Sequence, residues 1–280
     1  MQATKVQEPL GSGRKAGLSL SRFARLAGMV LLGIALSPGQ DFNKASRMNV
    51  KGAFVLPGDS AIPQIATGGG SFFMEFQFSN VTPSPATVTV QFFDSAGQPM
   101  AISYVQDGRD VASATLSAVI QGRGVSFATT SSSGPVRIGY ATVVSAPEDA
   151  VAVSSAFSQI VPGRPLFKAF VPLSSVLHAE FFVPFLNSNG QTASLAILSL
   201  TPQSLSLIAR NQSGIELCRA SLSLGGGRHD AFILHERLPC TRGADGLLHV
   251  QGTALGLSAF GLTAQDDGAF VTQPVYSAAP

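Results

Sequence analysis

The chain has no tryptophan, three tyrosines, two cysteines and four histidines in 280 residues, and only 12% of it is charged. Each scarcity excludes something. Without tryptophan and with few tyrosines, the flat exposed rings on which sugar-binding modules stack their ligands are in short supply, which leaves hydrogen bonding from loops as the route to a glycan. No cysteine pair has CxxC spacing, so zinc-ribbon and thioredoxin-like chemistry have no support. No serine stands in a G-x-S-x-G elbow. Long helical periodicity is absent, and no apolar run reaches the roughly 20 residues that a membrane-crossing helix needs.

What is plentiful is glycine (29), proline (17) and phenylalanine (19). Turn residues between short runs of Val, Phe, Thr and Ser indicate an all-β protein. The first element of the chain is a leader. Residues 1–25 are polar and basic, Leu26 to Leu36 form an eleven-residue apolar run, and Ser37-Pro38-Gly39-Gln40 breaks it. That order is the pattern of a secretory signal peptide over residues 1–40. No cysteine follows it to carry a lipid, so membrane attachment is expected only through the leader itself if it stays uncleaved. Removing its five basic residues and one acidic residue leaves 13 basic and 15 acidic side chains. The exported part therefore has no basic surplus to draw it to nucleic acid.

Residues 63–80, PQIATGGGSFFMEFQFSN, set the pattern for the rest. Phe72, Met74, Phe76 and Phe78 are apolar and Glu75, Gln77 and Ser79 are polar, the period of a strand with one wet face. Val88, Val90 and Phe92 alternate with Thr87, Thr89 and Gln91, and Asp94 to Gly97 forms a turn. Further strands are expected at 53–56, 100–104, 116–120, 125–128, 136–142 and 151–157, which makes a β-sandwich over 50–162. Pro162-Gly163-Arg164-Pro165 reads as a stiff joint, after which the pattern restarts over 166–280. Phe185-Leu186-Asn187 echoes Phe78-Ser79-Asn80; residues 205–214 echo 88–97; residues 222–226 echo 116–122; residues 246–250 echo 134–138. A divergent tandem repeat of two sandwiches follows.

The segments PQIATGGGSFFMEFQFSN, ATVTVQFFDSAGQPM and GPVRIGYATVVS, then GGRHDAFILHERLP, LHVQG and FVTQPV, resemble a tandem module of exported, mostly uncharacterised bacterial proteins. The resemblance spans residues 53–276 and implies two tandem immunoglobulin-like β-sandwich domains, with no catalytic residues to carry over. It also implies that His229 and Glu236 belong to a shared pattern flanking Ala231 to Leu234. Ser71 stands where the family often has an aromatic residue.

Two groups of residues are candidates for chemistry. Cys218 and Cys240 are expected to form a disulfide in an exported chain, or else to be two buried thiols in separate strands. His229, Asp230, His235 and Glu236 form the densest polar cluster, with side chains that suit zinc or acid–base work but no established spacing. The plainer reading is structural, with Glu236 accepting hydrogen bonds at a turn and His229 at the surface. His178 and His249 are isolated, and Asn80-Val81-Thr82 and Asn211-Gln212-Ser213 match the glycosylation sequon while also suiting turns. No cofactor is expected. The functional expectation is a non-enzymatic structural, adhesive or interaction module, secreted, at the cell surface or in the periplasm, with a protein or a cell-surface glycan as partner. A carbohydrate-binding module is the alternative, and a metal-dependent enzyme centred on His229, His235 and Glu236 the weaker one.

Overall fold

The computed structural model describes residues 60–174, 178–266 and 268–277. The leader at 1–40 and the strand expected at 53–56 lie outside them. The described chain is all-β. Its elements are β1 (Ser60–Thr67), β2 (Phe72–Asn80), β3 (Ala86–Asp94), β4 (Ile102–Gln106), β5 (Arg109–Ser113), β6 (Thr115–Ile120), β7 (Val125–Thr130), β8 (Arg137–Ala146), β9 (Val151–Gln159) and β10 (Phe167–Val171). There follow β11 (Glu180–Leu186), β12 (Gln191–Ser199), β13 (Gln203–Asn211), β14 (Glu216–Leu224), β15 (Arg228–Ile233), the single turn α1 (Leu234–Arg237), β16 (Asp245–Gly252), β17 (Leu257–Gln265), β18 (Phe270–Gln273) and β19 (Tyr276–Ser277). Among the described residues no helix is long and apolar enough to cross a membrane.

These strands make four antiparallel sheets. Sheet I runs β1-β8-β3-β6, sheet II β10-β9-β2-β7-β4-β5, sheet III β15-β12-β17-β18 and sheet IV β14-β13-β16-β11-β19. The period-two pattern decides which face of each is dry. Phe72, Met74, Phe76 and Phe78 of β2 are all buried, and they share one core with Val88, Val90 and Phe92 of β3. Sheets I and II therefore close face to face, with Phe76 and Phe92 rings 5.9 Å apart. Sheets III and IV do the same around Phe181, Phe185, Leu195, Ile197, Leu207 and Val250.

The two pairs do not stand apart. Every residue of β17 from Leu257 to Ala264 is buried, as is every residue of β1 after Ser60, so both strands are covered on both faces. The odd positions of β17 face sheet IV. The even ones, Phe260, Leu262 and Ala264, join the core of sheets I and II. The Pro162–Pro165 joint does not take the chain out of sheet II, because β10 pairs with β9 beyond it. Phe270 of β18 then packs on Phe157 of β9 and Phe167 of β10, at ring separations of 6.1 and 5.4 Å. At the other end of the contact, backbones meet directly. A Cβ on Gly97, whose φ is +76°, would lie 2.4 Å from the carbonyl oxygen of Gly227, so only glycine fits there.

Sheet edges are closed by specific devices. The Phe92 N–H donates to the Ala114 carbonyl, which turns the even residues of β6 towards β3 and leaves Thr115, Ser117 and Val119 facing the open edge. Side chains of sheet II and its border cap that edge: the Tyr104 hydroxyl donates to Thr115 O (2.9 Å), the Gln106 amide to Ser117 O (3.0 Å), and Ser113 Oγ accepts the Thr115 N–H (3.0 Å). On β11 the same alternation points Phe182, Pro184 and Leu186 outward, since Gly252 N–H donates to Ala179 O and Asn187 N–H to Ala244 O. Pro184 has no N–H to offer a neighbour, and β19 pairs only with Phe181 and Phe182. The hairpin β4–β5 turns at Asp107 and Gly108, both with positive φ, as a two-residue Asp-Gly turn should.

Replacing Tyr104 by Phe removes one capping donor while keeping the ring in the core. Stability should fall by about 1 kcal/mol, read as a lower denaturation midpoint with an unchanged denaturant slope.

Candidate functional site

His229 is not at the surface. It is 4% exposed, on the face of β15 that meets sheet I, and both ring nitrogens are held by residues from the first half of the chain. Nε2 lies 3.0 Å from Gln64 Oε1 and Nδ1 3.0 Å from Ser95 Oγ. A carbonyl oxygen only accepts, so Nε2 carries the proton and donates to Gln64, and Nδ1 accepts from the Ser95 hydroxyl. The His229 backbone N–H donates to Ser95 O. Beside this node the Tyr140 hydroxyl donates to Gly227 O (3.1 Å), and the Tyr140 ring stacks on Phe93 at 5.1 Å. Burial pushes His229 down to about 4 from 6.5, because its cationic form would stand dry without a counter-ion.

The remaining members of the polar cluster go elsewhere. Strand alternation turns Asp230 to the opposite face, where it pairs with Arg237 at 2.6 Å, and the Arg237 guanidinium lies over the Phe232 ring. His235 is half-buried on α1, its pKa lowered by burial and then by Arg242; Glu236 is exposed. The four side chains do not converge, and among the described residues no three His, Cys, Asp or Glu side chains are grouped to hold a metal. Cys218 and Cys240 are disulfide-bonded, with Cα atoms 6.1 Å apart. The bridge ties edge strand β14 to the short turn Pro239–Thr241. A bonded pair indicates an oxidising compartment. His249 is satisfied within sheet IV, stacked on Phe182 at 4.5 Å and hydrogen-bonded to Glu180. Asn80 is 3% exposed; its amide donates to Ser84 O and Ile120 O, and its oxygen accepts from Thr82, so the first sequon is spent on a turn.

Exposed apolar side chains gather on the outer face of sheet II; Val119 and Val144 lie on the outer face of sheet I. On β2 the outward positions are Glu75, Gln77 and Ser79, and the register carries that face across to Phe127, Thr129 and Val125 of β7 and on to Val105 of β4. In the other direction it runs through Ala156 to Phe170 of β10. Phe127 is 58% exposed, Val125 51%, Phe170 45% and Val105 41%. Val105, Val125, Phe127 and Thr129 line a shallow hollow closed at one end by the Asp107–Gly108 turn. The charges on this face are largely paired, since Glu75 binds Lys168 at 2.5 Å and accepts from Ser158 at 2.9 Å. The outer face of sheet IV differs: Phe182 and His249 turn their ring faces on each other. The strand expected at 125–128 gave no sign in the sequence that Phe127 faces outward. Val125-Ser126-Phe127-Ala128 alternates, but alternation alone does not say which face is dry.

Two measurements check the buried chemistry. Between pH 6.5 and about 4 the unfolded chain binds a proton at His229 that the folded chain refuses, so stability falls as pH drops through that window. The difference between wild type and His229→Gln should shrink by about 3 kcal/mol across it. Cys218→Ser with Cys240→Ser should cost on the order of 3 kcal/mol in denaturant unfolding.

No family model and no curated protein matches this chain. A solved structure, Pleurotus ostreatus lectin in its apo form, aligns with it at 13% identity over 78% of this chain and 81% of its own, with a TM-score of 0.20; at that distance the likeness bears on neither fold nor binding.

Proposed function

We propose that the chain is a non-enzymatic, exported interaction module, built as two tandem immunoglobulin-like sandwiches, whose contact surface is the outer face of sheet II. The observation that carries this reading is the cluster of exposed apolar side chains Phe127, Val125 and Val105, with Phe170 farther along the same sheet face across β2 and β9. Apolar side chains gathered on one surface between polar neighbours are the mark of an interaction site. The disulfide favours export. The strand orders favour a duplicated unit: β9-β2-β7-β4-β5 in sheet II is retraced by β19-β11-β16-β13-β14 in sheet IV, and β8-β3-β6 in sheet I by β17-β12-β15 in sheet III. Asn80 and Asn187, which follow the same core phenylalanine by two residues, are both buried and both hold the turn that comes next.

A protein partner is the first reading. A glycan is the second, favoured by one feature of the same face: exposed Phe127 is the cross-strand partner of Gln77, a pairing of ring and amide residue types that suits sugars.

Phe127→Asp should abolish retention on isolated cell envelope while leaving the melting temperature within the range of a surface substitution. Competition by soluble polysaccharide separates the two readings. Retention that survives Phe127→Asp and Val125→Asp together would move the contact surface elsewhere and overturn the assignment.

A further inference from the structure

Asn189 and Gly190 make the two-residue turn between β11 and β12, with φ of +51° and +74°. The turn is closed by the Gln191 N–H donating to Ser188 O at 2.9 Å. The chain supplies its own comparison, because its other described asparagines are chemically engaged. Asn80 uses both ends of its amide. Asn187 is 7% exposed and accepts the Ala193 N–H at 2.6 Å. Asn211 accepts from Ser213 and Ile215. Asn189 is exposed, and its amide makes one contact, a 3.3 Å hydrogen bond to Ser188 Oγ through the nitrogen. Nothing among the described residues donates to its carbonyl oxygen or accepts the Gly190 N–H. Gly190 also lacks the side chain that elsewhere screens the backbone nitrogen from the preceding amide carbon.

We infer that Asn189 is a self-modification site, converted by spontaneous deamidation in the folded protein. The backbone nitrogen of Gly190 bonds to Cγ of Asn189, and Nδ2 leaves as ammonia with the proton that the Gly190 nitrogen gives up. The product is a five-membered cyclic imide. Water then adds across one of the two imide C–N bonds, giving aspartate or, through the other carbonyl, isoaspartate. Either product puts a new carboxylate between two existing ones. Asp245 already accepts from the backbone of Asn187 and from Ser188, and the Asp266 carboxylate stands against Gly190. Isoaspartate also inserts a methylene into the backbone of a turn that sets the β11–β12 register. The hydrogen bond from Ala193 N–H to Asn187 Oδ1, in the same hairpin end, is the contact it strains first.

The test is peptide mapping of the folded protein after warm incubation in mildly alkaline heavy-oxygen water. Heavy oxygen should enter at residue 189 several-fold faster than at 80, 187 or 211, and faster still as pH rises, because the attacking nitrogen must lose its proton. An acidic species should build up on isoelectric focusing in parallel and be missing from Asn189→Gln. Intact Asn189 in folded protein, with label entering only after denaturation, would overturn the inference. So would an acidic species that persists undiminished in Asn189→Gln.

Discussion

A strand buried on both faces can belong to no single sandwich, and β1 and β17 are in that position along nearly their whole length. β1 and β17 each present one face to a sheet of their own half and the other to the opposite half. Small residues make the approach feasible: Ala61, Ala196 and Ala231 lie at the contact, and Gly97 meets Gly227 backbone to backbone. A polar group buried at this contact needs a partner in protein. His229 meets that demand in its neutral form, donating to Gln64 and accepting from Ser95. The node joins a side chain of the second half to two side chains of the first.

The second constraint acts on edges. An all-β chain with four sheets has many strand borders, and an open border invites another strand. The molecule closes them in different ways. Tyr104 and Gln106 reach across from sheet II to the carbonyls of β6. Ser95 takes the His229 N–H at the border of β15. Pro184 leaves a gap in the donors of β11, and the strand beside it is two residues long where β9, beside β2, is nine. The outside of sheet II stays uncovered as a face. A face recruits partners through side chains, which allows selectivity that backbone pairing lacks.

Much of the fold was legible because the signal is periodic. Phe72 to Phe78 and Val88 to Phe92 declared their dry face outright, and the glycine and Asp-Ser-Ala-Gly turns bounded them. Strands buried on both faces were harder. Ser60 to Thr67 contains Pro63 and a register shift between Ile62 and Ile65, and Leu257 to Gln265 has no polar alternation to read. β5 was missed because it is exposed nearly throughout. The echo between 205–214 and 88–97 matches residue types rather than positions in the sheets, since β13 takes the place in strand order that β4 takes in the first half. At the site, the Cys218–Cys240 pairing was legible from number and compartment. The fate of His229 was not, because Gln64 and Ser95 lie more than a hundred residues away and only folding brings them to it.

The division of labour at His229 reaches beyond stability. One half of the chain supplies the imidazole and the other supplies both of its partners, so neither half alone satisfies the polar groups of this contact. A gene fragment encoding one of them would carry either a stranded imidazole or an unanswered amide and hydroxyl into water. Recombination that swapped one half for a distant copy would have to bring the matching residues along. Through this one contact each half of the chain answers for polar groups that the other half buries.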